Sequence, residues 1–259
     1  MKRDLLWYKA WLDTRWRFLI GLALLVCAAM ATVLMRPRLM QLLPAVSTIP
    51  TSGELGRKIQ ESAALVREYR GYIWTQWFRQ TPTQLGTLMA ILLGTGGLLS
   101  QSSGGGLLFT LSLPVSRQRL LGVRAAAGLA EWLALAIVPS LVVPLISPAI
   151  GESYGIGAAV VHGVCLFVGG AVFFSLAFFL STMFEDMWRP LLIALTLAIA
   201  LSVAGEIARE LSPYSVFAVM NGETYFRTGH LPWIGLLVSA AASAAMLWSA
   251  AVNTARQDF

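Results

Sequence analysis

Six stretches of the chain are apolar for long enough to cross about 30 Å of hydrocarbon: residues 18–35, 84–100, 122–146, 156–181, 190–206 and 231–252. Each predicts a helix, because a segment in lipid must satisfy its own backbone N–H and C=O groups. The second run is rich in Gly and Thr, small residues that suit close helix packing. The third contains Pro139 and Pro144, which predict a kink or break supported by neighbouring helices.

The segments between the runs have patterns of their own. In residues 2–17, Lys2, Lys9, Asp13 and Arg17 share one helical face, and Leu5, Tyr8, Trp11, Leu12 and Trp16 the other. Aromatic side chains beside Lys and Arg predict an amphipathic helix lying in the membrane interface. Residues 37–83 form a long loop in this reading. Thr51 and Glu54 have capping-box spacing, Leu55, Ile59, Ala63 and Val66 form a helical stripe, and Glu54 and Lys58 make an i,i+4 pair. Tyr69, Tyr72, Trp74, Trp77 and Phe78 then predict an aromatic belt where the chain re-enters the membrane, with the loop capping the outer face.

Composition agrees with this pattern. Of the 259 residues 57% are hydrophobic and 12% charged, and mean hydropathy is +0.69; a soluble domain carries about 25% charged residues. The expected architecture is a single six-span, all-α integral membrane domain over residues 1–259. A net charge of +6 and pI of 9.7 would suggest nucleic acid for a soluble protein, but no basic stripe with interleaved aromatics occurs, and basic residues at membrane edges meet anionic lipid instead. Cys27 and Cys165 lie inside apolar runs and read as small core residues, and no CxxC or HExxH spacing suggests a metal. A charged, Trp-rich segment precedes the first apolar run, so a signal peptide is not expected.

Orientation follows from Lys and Arg. With the N-terminus inside, Lys2, Arg3, Lys9, Arg15, Arg17, Arg117, Arg119, Arg124, Arg189 and Arg256 are cytoplasmic, and Arg36, Arg38, Arg57, Lys58, Arg67, Arg70, Arg79, Arg209 and Arg227 lie opposite. The positive-inside rule weighs short loops most heavily; with the long loop and its flank set aside, the cytoplasmic side holds ten and the other two. Both termini are therefore expected in the cytoplasm.

The connection between the second and third runs carries the most information. Gly104, Gly105 and Gly106 form a flexible joint, a short apolar helix follows over about 107–113, Pro114 ends it, and Ser116 can cap the next helix, which opens with Arg117 and Arg119. The result would be a short helix parallel to the membrane with a basic corner, an element able to transmit force from a soluble partner.

Leu-Ser-Leu-Pro-Val-Ser-Arg at 111–117 resembles the signature of ABC-2 type permeases, the membrane subunits of one class of ABC exporter. About ten residues match closely; the N-terminal helix, the span count and the placement of the motif agree in layout. The resemblance implies that residues 100–120 are a coupling segment docking on a separate ATPase, which holds the ATP and Mg, and that a second permease copy or homologue completes the pathway in the plasma membrane. Family members usually carry glutamates before a Gly-Thr pair and an acidic residue soon after it, where this chain has Gln101, Ser102, Ser103, Gly105, Gly106 and Leu108. Docking would then rest on Phe109, Leu113, Pro114, Val115 and Ser116, with Arg117 and Arg119 as a charged rim. A second, smaller contact would fall at Glu185 and Asp186, which read equally well as loop charges holding a tight turn out of lipid.

Glu131 in the third run and His162 in the fourth are the notable intramembrane ionisable residues, costly in lipid and therefore candidates for a pathway or a buried partner. Arg124 and Gly128 precede Glu131 on the same helical face, which also allows a paired charge near the interface; His162 could instead hydrogen-bond a backbone carbonyl. No GxxxxGK[ST] phosphate loop occurs, so the expectation is a transport subunit without catalytic residues or cofactor of its own. The alternatives are a gradient-driven transporter using Glu131, a non-transporting anchor or sensor, and a membrane enzyme dependent on Glu131 and His162 together.

Overall fold

Apolar runs of this length leave the backbone no partner but itself, and the chain folds accordingly as helices, with no strand among the described residues. The computed structural model describes residues 2–47, 64–95, 117–184, 186–207 and 215–256. Helix α1 spans Lys2–Ser47. After a turn of helix at 64–67 come α2, Tyr69–Ile73, a π-helical turn over Trp74–Phe78, and α3, Thr81–Gly94. Next are α4, Arg117–Ile146, extended by a 3₁₀ turn at Ser147–Ile150, and α5, Ile156–Leu180. The remaining elements are α6, Trp188–Ile207, the short α7, Val216–Met220, and α8, Glu223–Thr228, and finally α9, Trp233–Arg256.

Among the described residues, five helices are long and apolar enough to cross a membrane, over Leu6–Gln41, Gln118–Ile150, Ile156–Leu180, Trp188–Gly205 and Trp233–Arg256. The expected second span, 84–100, is not one of them. Its helix α3 has 14 residues, about 21 Å at 1.5 Å per residue. It is walled in by α1, α4 and α5, so its Thr and Gly positions face protein rather than lipid. Helix α5 is the hub, packed against α3, α4 and α9.

Two further expectations are corrected. The 2–17 segment is not a separate interfacial helix: α1 runs unbroken through 46 residues, about 69 Å, past Pro37 and into the expected loop. Thr14 and Arg17 pack inward, while Asp13 is exposed and Trp7, Tyr8, Trp11 and Trp16 point outward. The expected belt at 69–78 is interior, since Tyr69, Tyr72, Trp74, Trp77 and Phe78 are all at most 6% exposed. A run of aromatics marks a membrane edge only on an outward face; here the helix turns it against α5, α7 and α8. Pro139 and Pro144 are buried inside α4, which continues past both.

Small residues set the helix spacing. Trp132 lies in a slot between Gly86 of α3 and Gly170 of α5, where a Cβ at either position would meet its indole ring, and donates its indole N–H to the Phe167 carbonyl at 2.9 Å. Gly94 brings α3 against the backbone of α5 so closely that a Cβ would strike the Phe174 carbonyl oxygen. Such contacts let polar backbones approach and strengthen dispersion packing where no hydrophobic force acts between helices.

The helices alternate in direction and define two ends. Arg17, Thr95, Ser181, Thr182 and Asn253 meet at the terminal end, which the start of α1 and the finish of α9 share. Arg36, Tyr69, Ser147 and Glu152 meet at the far end. Exposed Trp16 and partly buried Arg36 are twenty residues apart on α1, about 30 Å, the thickness of a bilayer's hydrocarbon core.

Candidate functional site

At the terminal end the network starts from α1. Thr14 donates its hydroxyl to Glu131 Oε1 at 2.6 Å, joining α1 to α4. Glu131 is 7% exposed, and its Oε2 has no hydrogen-bond partner. One turn along α1, Arg17 donates from Nη1 to the carbonyls of Leu92 at 3.0 Å and Thr95 at 3.3 Å, and its Nη2 approaches Met187 Sδ at 2.8 Å. The last carbonyls of any helix lack partners within it. Arg17 thus caps α3 from a different helix while reaching the turn between α5 and α6. Asp13 lies within electrostatic reach of Arg17 and Arg124, and Arg124 also feels Glu131. Asn253 of α9 donates to the carbonyl and hydroxyl of Thr182, closing the same layer.

The expected coupling residues flank this network. Phe109, Leu113, Pro114, Val115 and Ser116 lie outside the described residues, as do Glu185 and the capping-box segment around Thr51. The ends that carry the 96–116 connection are fixed: Thr95 is held by Arg17, and Arg117 opens α4, followed by exposed Arg119. Asp186 accepts the Arg189 amide at 2.7 Å and pairs with its guanidinium at 2.9 Å. That geometry stabilises the first turn of α6. The sequence does not single out Thr14 or Met187 as part of a site; for Arg17 its one signal is the i,i+4 spacing from Asp13.

At the far end Arg36 pairs with Glu152, donates to the Arg67 carbonyl and lies over the Tyr69 ring. Tyr69 and Ser147 share a hydrogen bond, and Tyr72 donates to the Thr32 carbonyl at 2.7 Å. Burial raises the pKa of the Tyr69, Tyr72 and Tyr154 phenols, for Tyr69 against the opposing pull of Ser147 and Arg36, so all three remain protonated donors. Trp74 stacks on Phe226 at 4.4 Å and donates to the Asn221 carbonyl.

His162 faces the interior, 1% exposed, stacked on Phe78 at 4.2 Å and edge-on to Tyr225. It lies beside the Asn221 backbone, whose carbonyl also accepts the Trp74 indole N–H; neither ring nitrogen comes within hydrogen-bonding distance of a partner. Gly222, at φ 64°, abuts its Nδ1 edge, and a Cβ there would collide with it. Glu131 and His162 thus sit at opposite ends and form no common site.

No protein-family model, curated protein or solved structure matches the chain. Among the described residues no three His, Cys, Asp or Glu side chains gather as a metal site. Cys27 and Cys165 are both free thiols; Cys165 is in the core, whereas Cys27 lies on the exposed face of α1.

Proposed function

We propose that this chain is the membrane-spanning permease subunit of an ATP-driven export complex of the ABC-2 type, working with a second permease and with separate ATPase subunits. The observation that carries the reading is the convergence on Arg17. The segment resembling the family's coupling helix hangs between Thr95 and Arg117, and Arg17 joins Thr95 to the N-terminal helix and to the second short connection at Met187. Displacing the 96–116 segment would pull on the end of α3, and Arg17 would pass the movement to α1 and the α5–α6 turn. In this reading α3 is the sixth span, both termini are cytoplasmic, and the protein lies in the plasma membrane. Residues 109 and 113–117 with Arg119 meet the ATPase, and Glu185 adds a smaller contact.

The test is recovery of partners from gentle detergent with the tagged chain, beside an Arg117→Glu/Arg119→Glu variant. A P-loop ATPase recovered with the wild type and lost with the variant supports the reading. Absence of any ATPase from both samples, under conditions that preserve known complexes, would sink it. A gradient-driven transporter is the second reading, favoured by the unpartnered Glu131 Oε2; it predicts transport that survives loss of the ATPase and stops with an uncoupler.

A further inference from the structure

The far end contains an unusual surplus of hydrogen-bond donors. Tyr154 in the 151–155 connection is 8% exposed with its hydroxyl unpartnered, and His162 of α5 is 1% exposed with both nitrogens unpartnered. Phe78 touches both rings, at 6.2 Å and 4.2 Å between centroids, and Tyr225 of α8 stands 5.4 Å from His162. Buried polar groups in folded proteins nearly always have partners, so two such side chains in one ring cluster require an explanation. The charged group that both feel is Arg70, which is exposed at the rim. Of the far-end carboxylates, Glu152 and Glu223 are engaged with Arg36 and Arg227, and Glu68, two residues before Arg70, is exposed.

We infer that the far end holds a binding site for a phosphate-bearing headgroup, received by Arg70, Tyr154, His162 and Tyr225. Arginine offers a fixed fork of donors, tyrosine a hydroxyl and imidazole one N–H, a set suited to the several acceptor oxygens of a phosphate. Arg36 marks the layer, about 30 Å from Trp16, where lipid phosphates lie beyond the hydrocarbon. Phe78 lies against both Tyr154 and His162, and Tyr225 of α8 covers His162 edge-on; α8 is bounded by Gly222 and Gly229 at φ 64° and 74°. The headgroup enters beside Arg70 as α8 lifts about these two glycines and the Trp74–Phe226 stack opens. The site is independent of the permease reading, since it needs no ATPase.

The experiment is native mass spectrometry of the purified full chain titrated with phosphatidylglycerol, with inorganic phosphate as competitor. Tyr154→Phe and Arg70→Gln are each expected to weaken lipid retention about tenfold, the loss of one charge-assisted or buried hydrogen bond, while Arg119→Gln at the opposite end leaves it unchanged. Displacement by millimolar phosphate would mean that the phosphate alone suffices; lack of displacement, with the same two variants defective, would mean that a lipid supplies it. Retention by both variants equal to wild type, or lost equally in Arg119→Gln, overturns the site. A folding readout is independent of the lipid. Tyr154→Phe removes a hydroxyl with no protein partner, so the unfolding midpoint in lipid-free detergent is not expected to fall; a clear fall would show that protein satisfies the hydroxyl and would also overturn the proposal.

Discussion

Thr14 supplies the hydrogen bond to the buried Glu131 carboxyl, so Thr14→Val is expected to lower stability by about 1–3 kcal/mol, the cost of leaving a buried acceptor unsatisfied, read by thermal unfolding in detergent. Two glycines make a controlled pair. A Cβ added at Gly122 would meet nothing within 4 Å, whereas one added at Gly94 would strike the Phe174 carbonyl. Gly122→Ala is therefore expected to stabilise by about 0.5–1 kcal/mol through helix propensity, and Gly94→Ala to destabilise by about 1–3 kcal/mol because backbone cannot yield as a side chain can. At this scale Glu131 and His162 are legible in the sequence as ionisable residues within apolar runs. Their surroundings are not, because Thr14 is 117 positions from Glu131 and no periodicity links residues so far apart.

Elements are legible where hydrophobicity and environment agree. The runs that form α4, α5, α6 and α9 stand within a few residues of their expected bounds. Helix α1 departs from expectation because charge at 2–17 predicts a water-facing surface, while Thr14 and Arg17 are drawn into the bundle. The correction is measurable. Spin labels at Trp7→Cys and Met35→Cys, in a background lacking the native cysteines, are expected about 42 Å apart along one continuous helix; a right-angled interfacial arm would bring them to about 31 Å by the same rise per residue. Arg17 belongs to this scale as well, because it holds the end of α3. Arg17→Gln should loosen that end, detected as faster amide exchange at 92–95 with little change at the far end of the same helix.

For the whole molecule, hydropathy yields the class but not the arrangement of its ends. Alternating helices bring the start of α1 and the finish of α9 to one end, with Arg119, while Thr228 lies at the other. Cysteines introduced at Arg119 and Arg256 are expected to react alike with an impermeant maleimide on intact cells, and one at Thr228 oppositely. Unlike behaviour of Arg119 and Arg256 would refute an even number of crossings. The far-end cluster is illegible for a related reason: its side chains come from the 69–78 helices, the 151–155 connection, α5 and α8, and only tertiary packing gathers them.

The shortness and enclosure of α3 also bear on how the protein is made. A translocon releases segments sideways into lipid according to their own apolarity and length, and α3, at 14 residues with nine of them buried against protein, offers too little length. It must wait for α4 and α5 before it has walls to settle against. Biogenesis is therefore expected to pass through a nascent chain in which α3 is not yet enclosed, and glycosylation mapping of chains truncated after residue 100 should find it in a different place from that in the full-length chain.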